Sequence, residues 1–290
     1  MTQQSKIRLA IIGTHPVQYN APVFAQLAAT DDVDVRVFYG WTGTANSVDV
    51  GFGQRVEWDI PLLEGYDSEF LKNVAKVPGS FAYSGIDTPQ LIQRVSNWKA
   101  DAILVYGWCY KSHLAALRHF HGKIPVCFRG DSTMLNKNGG VKKLLRRTVL
   151  RWVYSHVDIA FSVGTHNHEY LRKHGLSGAQ IVHAPHAIDN ARFSLPDAEG
   201  EHIRQEMGLG EDDIAVLFPG KLEPIKQPEI LLAAQQQLAD PRVHLVFAGS
   251  GPLEASLKSS NVPRTHFLGF QNQSRMPAVY RMSDVVCLPS

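Results

Sequence analysis

Short apolar runs alternate along this chain with segments whose apolar residues recur at helical spacing. The runs are continuously hydrophobic and rich in β-branched residues, which is typical of strands covered on both faces. Six of them occupy the first part of the chain: Ile7 to Ile12, Val33 to Tyr39, Ala102 to Tyr106, Pro125 to Phe128, Ile159 to Val163 and Ile181 to His183. Strands and helices in alternation predict a parallel, doubly wound sheet.

A second series of the same kind follows. Its predicted strands and helices are Ile214 to Phe218, Pro228 to Leu238, Val243 to Ala248, Leu253 to Ser259, His266 to Leu268, Met276 to Met282 and Val285 to Leu288. Residues 190–210 have no strand pattern and are interpreted as a linker with a short helix from Glu201 to Met207. We therefore predict an α/β protein with two Rossmann-like, doubly wound domains, residues 1–194 and 195–290, the second one incomplete.

Residues 41–85 are the part of the first domain without a stable period, because Gly, Asp, Ser and aromatic residues are mixed there. A loop-rich insertion is expected. Long loops at the carboxyl ends of parallel strands often bind ligands, so this region is a candidate wall of an acceptor site. A surface elaboration without a ligand role is the alternative.

Composition and charge narrow the function classes. The chain is 44% hydrophobic and 19% charged, which excludes a disordered protein. Its formal net charge of +2 gives no global attraction for nucleic acid, so none is expected as a partner. The three widely spaced cysteines, the absence of a signal-like start and the lack of any apolar stretch of ~20 residues indicate a cytoplasmic protein.

The run from Phe218 to Pro228 carries the most informative chemistry. A strand ends at Gly220, where the backbone can turn, and Lys221 and Lys226 follow before a helix that begins near Pro228. Two ammonium groups beside a helix N-terminus suit a diphosphate. A solvated turn with incidental lysines is the alternative that spacing alone leaves open.

Several segments around this run share their order and separation with a known family. They are Ala184–Asp189, Gly220–Leu222 with Lys226, Ala248–Pro252, Phe267–Phe270, Tyr280–Val285 and Leu288–Ser290. Together they resemble the retaining family 4 glycosyltransferases, which have the two-Rossmann-domain GT-B fold. The resemblance covers the last third of the chain well and the first half only by architecture.

This resemblance implies donor-side roles for particular residues. The diphosphate of a nucleotide sugar would lie against Lys221, Lys226 and Gly220. No metal or other cofactor is implied, because the lysines and a helix terminus stabilise the departing diphosphate. The other implied donor-side residues are Gly249 and Gly251, in a turn beside the donor, and Leu268 and Gly269, on the nucleobase side.

The sequence departs from the family pattern where it ends. In the family, a Pro-Ser pair like Pro289–Ser290 leads into a loop with two glutamates that contact the donor sugar and the ribose. No such loop is present in these 290 residues. Either the chain is truncated relative to its relatives, or it is a fragment or an unusual member.

Three residues of the first domain are candidates for catalysis. Relatives often place a histidine after the strand equivalent to Pro125 to Phe128, whereas this chain has Arg129 and Asp131 there. Arg129 can contact phosphate and Asp131 can orient an acceptor hydroxyl, while Asp131 with Ser132 also fits a helix start. His15 follows the first strand, where it can face the acceptor or the donor phosphate, or bond to a loop carbonyl.

Thirteen histidines raise the question of a metal site. Pairs such as His119 and His121 have no Cys or carboxylate at the spacing of a zinc site, so no metal is predicted.

The segment Lys137 to Tyr154 combines basic and apolar residues at helical spacing. Such a helix can lie on the inner face of an anionic membrane, and a core helix with a solvated cationic face is the alternative. Its cations are Lys142, Lys143, Arg146, Arg147 and Arg151.

These observations lead us to expect a glycosyltransferase of polysaccharide biosynthesis. It would move a sugar from a nucleotide sugar to a glycan or a lipid-linked acceptor, with retention at the anomeric carbon implied by the resemblance. A nucleotide-sugar-binding module without transferase activity is an alternative, because the carboxylate loop is missing. A nucleotide-sugar epimerase of the same two-domain architecture is another.

Overall fold

The structure is a computed structural model that describes residues 6–43, 48–49, 54–134, 141–194, 199–238 and 240–289. The chain forms two compact units, of which the first comprises Met1–Gly43 and Leu62–Ile188 and the second comprises Thr44–Pro61 and Asp189–Ser290. The predicted boundary near residue 195 lies outside the described residues. Part of the predicted 41–85 insertion thus packs with the second unit.

Strands and helices alternate through both units. The strands are β1 (Ile7–Gly13), β2 (Val33–Tyr39), β3 (Val48–Asp49), β4 (Gln54–Arg55), β5 (Asp67–Phe70), β6 (Ala102–Tyr106), β7 (Val126–Arg129), β8 (Ile159–Ser162), β9 (Ile181–His183), β10 (Ile214–Pro219), β11 (Val243–Ala248), β12 (Thr265–Gly269) and β13 (Val285–Val286). The helices are α1 (Ala21–Ala28), α2 (Leu91–Asn97), α3 (Lys111–Phe120), α4 (Val141–Tyr154), α5 (Thr165–Lys173), α6 (Asn190–Ser194), α7 (Glu199–Glu206), α8 (Pro228–Gln237), α9 (Glu254–Ser259) and α10 (Met276–Arg281).

The first unit is built on a seven-stranded sheet with the order β5-β2-β1-β6-β7-β8-β9 and only parallel pairs. Neighbouring residues of β1 point to opposite faces, so Ile12 packs with α2 to α5 while Ile11 packs with Phe24 of α1. Both faces are therefore covered, which explains the continuous hydrophobicity of the strands.

The second unit repeats this architecture with the parallel strand order β12-β11-β10-β13. Its β10 contributes Leu217 to a cluster with α7 and α10, and Phe218 to a cluster with α8 and α9. The predicted fold class, two Rossmann-like α/β units, is confirmed.

Three local predictions differ from the structure. The predicted loop region contains β5, which pairs with β2 at the edge of the described sheet and has the polar sequence Asp-Ser-Glu-Phe. Residues 131–134 are not helical and α4 begins at Val141, so Asp131 with Ser132 does not start a helix. The predicted linker contains α6, which was not expected, in addition to α7, which corresponds to the predicted helix from Glu201 to Met207. Among the described residues, no helix is long and apolar enough to cross a membrane.

Candidate functional site

A cavity lies where the parallel strands of the first unit end. β1 has β2 on one side and β6 on the other, and the connections that follow β1 and β6 cover opposite faces of the sheet. Ligands of open α/β sheets bind in the crevice at such a reversal of strand order. The cavity has a volume of about 330 Å³ and is lined by residues that follow β1, β6, β7, β8 and β9.

The three candidate catalytic residues, His15, Arg129 and Asp131, all line this cavity. Arg129 ends β7, and its guanidinium donates to the carbonyl oxygens of Ala184 at 2.8 Å and Pro185 at 3.1 Å. These two bonds fix the segment after β9 beside the end of β7. Arg129 therefore holds in place the backbone of Ala184 and Pro185, next to the cavity.

His15 is half-buried behind the end of β1. Its Nδ1 lies 2.9 Å from the hydroxyl oxygen of Thr14, and its ring meets the ring of Trp41 edge-on at 5.2 Å. Burial lowers the pKa of His15, because the charged imidazolium loses hydration there. The imidazole is therefore neutral near pH 7 and can accept a proton.

Asp131 is exposed on a loop that a buried amide holds in place. Asn167, only 2% exposed, donates through Nδ2 to the carbonyl oxygen of Ser132 at 2.9 Å. Its Oδ1 accepts from the backbone N–H of Val163 at 3.1 Å. One side chain thus joins the loop after β7 to the turn between β8 and α5, and sequence reasoning did not identify it.

Aromatic side chains form much of the cavity wall, and the sequence analysis missed them as well. Tyr19, Tyr106, Trp108 and Tyr110 line it, and the last three lie at and just after the end of the buried strand β6. Burial raises the pKa of Tyr19 and Tyr106, and raises that of Tyr110 to about 12. These phenols stay protonated near neutral pH, so each can donate a hydrogen bond.

A buried histidine secures the turn between β6 and α3. His113 is 1% exposed, and its Nδ1 lies 3.0 Å from the carbonyl oxygens of both Tyr106 and Gly107. Carbonyl oxygens only accept, so Nδ1 carries the proton of the neutral ring. Burial lowers the pKa of His113 to about 4.

The predicted donor-side residues meet at the carboxyl edge of the second unit's sheet. The backbone N–H of Gly220 donates to the Ala248 carbonyl at 2.9 Å, and that of Leu222 donates to the Ser250 carbonyl at 3.0 Å. The N–H of Gly249 donates to the Gly269 carbonyl at 2.8 Å. The loops after β10, β11 and β12 therefore form one hydrogen-bonded group.

Gly249 and Gly251 make this close packing possible. A Cβ at Gly249 would lie 1.9 Å from the carbonyl oxygen of Gly220, and one at Gly251 would lie 2.6 Å from that of Leu222. Both contacts involve backbone atoms, which a side-chain rotation cannot relieve. These glycines are thus needed for the contact between the two loops, whether or not a ligand is bound.

Both predicted diphosphate lysines lie on the connection between β10 and α8. Lys221 follows Gly220, and Lys226 ends a 3₁₀ turn, Pro224–Lys226, immediately before α8. α8 has proline at its start, where the missing N–H costs no hydrogen bond, and the side chain of its N-cap Gln227 does not cap it. Leu268 is half-buried against the second unit's core, and its carbonyl accepts from Gln271 at 2.6 Å.

The segment 54–61 is anchored on the loop after β12. Val56 is 2% exposed, and the rings of Trp58 and Phe270 lie 6.3 Å apart. The carboxylate of Asp59 accepts from the Ser274 backbone N–H at 2.9 Å and from its hydroxyl. The Asn272 amide donates to the Glu57 carbonyl at 2.7 Å.

The described residues include no group of three or more His, Cys, Asp or Glu side chains arranged to hold a metal ion. His119 instead lies 3.2 Å from the ammonium of Lys123. His244 and His266 form a hydrogen bond, in which Nδ1 of His244 lies 2.9 Å from Nε2 of His266.

Solved structures of known proteins share this fold along nearly the whole chain. Sucrose-phosphate synthase from Thermosynechococcus elongatus aligns with 98% of this chain and 76% of its own, with a TM-score of 0.69 and 19% identity. Anabaena HepE in complex with UDP aligns over 99% and 74%, with a TM-score of 0.66 and 17% identity. A UDP-N-acetylglucosamine 2-epimerase aligns over 97% and 74%, with a TM-score of 0.63 and 14% identity. At these identities the likeness shows the GT-B fold.

Residues 199–290 match the family model described as glycosyl transferases group 1. Over 95 residues the chain is 33% identical to the D-inositol 3-phosphate glycosyltransferase of Mycobacteroides abscessus, which covers 30% of this chain and 21% of that protein. The chain thus spans about a fifth of the length of this relative. The resemblance predicted from the motifs is confirmed for this region at the level of group 1 glycosyltransferases.

Proposed function

We propose that this protein is a GT-B glycosyltransferase that moves a sugar from a nucleotide sugar to an acceptor hydroxyl. One observation carries the proposal: the region that matches group 1 glycosyltransferases contains the hydrogen-bonded loops after β10, β11 and β12, and both lysines belong to it. Membership of family 4 and retention at the anomeric carbon are parts of this proposal that rest on the motif resemblance.

The donor diphosphate would bind between Lys221, Lys226 and the start of α8. As the bond from the anomeric carbon to the diphosphate oxygen breaks, negative charge develops on the departing group. Ammonium groups donate charge-assisted hydrogen bonds to such oxygens, and the positive end of a helix adds to the attraction. Electrostatic stabilisation of this kind is usually the largest contribution to catalysis. The nucleotide sugar is a substrate, and the proposal needs no further cofactor.

The acceptor, a glycan or a lipid-linked sugar, would bind in the cavity of the first unit. Protonated phenols such as those of Tyr19 and Tyr106 can donate to sugar oxygens, and the tyrosine and tryptophan rings can pack on sugar faces. The neutral imidazole of His15 and the carboxylate of Asp131 can accept a proton from the attacking hydroxyl. Arg129 would position the cavity rim through its two bonds to the backbone.

Nucleotide binding tests the donor site directly. Isothermal titration of UDP, GDP and ADP into the protein should give measurable affinity for one of them, with UDP as the first choice because the HepE neighbour is in complex with it. Two charge-assisted hydrogen bonds are worth about 3 kcal/mol or more, so Lys221→Ala/Lys226→Ala should weaken binding by about 100-fold. Lys258→Ala is the control, because its ammonium pairs with Glu254 on α9 at 2.7 Å. Unchanged affinity in the double variant would refute the site.

A nucleotide-sugar epimerase is the second candidate, favoured by the likeness to a UDP-N-acetylglucosamine 2-epimerase. Incubation of the protein with a nucleotide sugar alone separates the two activities. A transferase requires an acceptor before the nucleoside diphosphate is released quantitatively, whereas an epimerase yields a new nucleotide sugar without one. Nucleotide binding without either product would instead identify a binding module. The anomeric configuration of a transfer product, read by NMR, tests retention.

A further inference from the structure

The outward side of α4 is apolar, although the opposite side of the helix is already buried in the core. Leu150, Val153 and Tyr154 are at most 2% exposed and pack inside the first unit. The α4 outer face, as we define it, consists of Leu144 (68% exposed), Leu145 (67%), Val149 (42%) and Trp152 (44%). A helix that only covered a core would present polar side chains there.

Arginines border this face along one side. At 100° per residue, Arg147 and Arg151 lie along one margin of the α4 outer face, whereas Arg146 lies at an angle between the buried Val153 and Leu150. All three are exposed. Lys142 and Lys143 precede them on the same helix, but their side chains lie outside the described residues.

The neighbouring helix α3 extends the basic border. The guanidinium of Arg118 lies 5.5 Å from the ring centre of Trp152, and Lys123 follows at the end of the same helix. Between residues 102 and 157 the sequence contains a single acidic residue, Asp131, which precedes α4. An apolar stripe with cations beside it and no carboxylate on its helix is typical of helices that lie in a membrane interface.

We infer that α4 docks this protein on an anionic lipid bilayer, with the α4 outer face among the upper acyl chains and the arginines on lipid phosphates. Charge complementarity selects this occupant. A symmetric contact between two copies would place the same arginines of both copies against each other, which opposes a dimer through this face. A bilayer of anionic lipid instead offers apolar acyl chains for the α4 outer face and negatively charged headgroups for the arginines.

Vesicle flotation with the purified chain tests the inference. The protein should float with phosphatidylcholine vesicles that contain phosphatidylglycerol, should stay behind with phosphatidylcholine alone, and should be released by salt. Each cation near an anionic surface is worth about fivefold in affinity, so Arg147→Ala/Arg151→Ala should weaken binding by roughly 25-fold. Leu144→Ser/Leu145→Ser should also reduce it. The control is Arg172→Ala/Lys173→Ala, which removes two exposed cations from α5 and should leave binding unchanged.

Several results would contradict docking of α4 on an anionic bilayer. Absence of flotation, equal binding to both vesicle types, or equal losses for the α4 and α5 arginine variants would each overturn the inference. So would a stable dimer in sedimentation equilibrium that Leu144→Ser/Leu145→Ser converts to a monomer, because a second copy would then cover this face. Circular dichroism of each variant checks that these surface changes leave the fold intact.

Discussion

Replacement of Gly249 by alanine is the change in the second unit for which the structure gives the largest expected effect. The added Cβ would lie 1.9 Å from the Gly220 carbonyl oxygen and 2.8 Å from its carbonyl carbon. Non-bonded heavy atoms prefer separations of about 3.5 Å, so the loop after β10 would have to move by about 1.5 Å. That movement would break the bond from the Gly220 N–H to the Ala248 carbonyl.

The expected loss follows from these two effects. Overpacking a tight contact costs about 1–3 kcal/mol, and a buried backbone group left unpaired costs about as much, so we expect about 3 kcal/mol in total. With a urea dependence of about 2 kcal/mol/M, the unfolding midpoint of the second unit should fall by about 1.5 M. Urea titration followed by far-UV circular dichroism measures the shift.

Gly220→Ala is the matched control from the other side of the same contact. A Cβ there would lie 3.6 Å from the Phe218 ring, which is an ordinary packing distance. We expect its midpoint to stay close to that of the parent protein. Equal midpoints for Gly249→Ala and Gly220→Ala would show that the two loops do not meet as described.

Two further predictions concern buried or anchoring groups. The unfolded chain binds a proton at His113 below pH 6.5, whereas the folded protein does so only near pH 4. The unfolding free energy should therefore fall by about 1.4 kcal/mol for each unit by which the pH is lowered from 6.5 to 4. His113→Gln should flatten this slope in denaturant titrations at several pH values, and an unchanged slope would count against the assignment. Asp59→Ala removes the acceptor for both Ser274 donors, so amide exchange in residues 54–61 should accelerate. Asp31→Ala, at a fully exposed carboxylate, should not change it, and equal protection in both variants would argue against the anchor.

The sequence predicted those parts of the fold that leave a strong local pattern. β6 has the bounds that its apolar run Ala102 to Tyr106 indicated, because a strand inside the sheet that is covered on both faces is hydrophobic throughout. β5 gave no such signal, since it lies at the sheet edge and reads Asp-Ser-Glu-Phe. The pattern of a segment reports its burial, and an edge strand with little burial is hard to distinguish from a loop.

The same holds for the candidate sites: residues in a local motif could be predicted, whereas residues whose role depends on a distant part of the chain could not. The order of motifs brought Lys221, Gly249 and Gly269 into one hypothesis, and their loops are joined by backbone hydrogen bonds. Asn167 was not found, because its importance depends on Ser132, a residue distant in sequence that only the folded chain brings near. The need for glycine at position 249 likewise depends on the position of another loop.

The anchor of residues 54–61 on the loop after β12 bears on how this protein can be divided experimentally. A polypeptide that starts at Asp189 would contain Ser274 and Phe270 but neither Asp59 nor Trp58. Its isolated Rossmann-like half would therefore expose an unfilled docking site, and a synthetic peptide with the sequence of residues 54–61 should bind to it. A cut at the linker alone would therefore divide the second unit, because its two parts, Thr44–Pro61 and Asp189–Ser290, are not contiguous in the sequence.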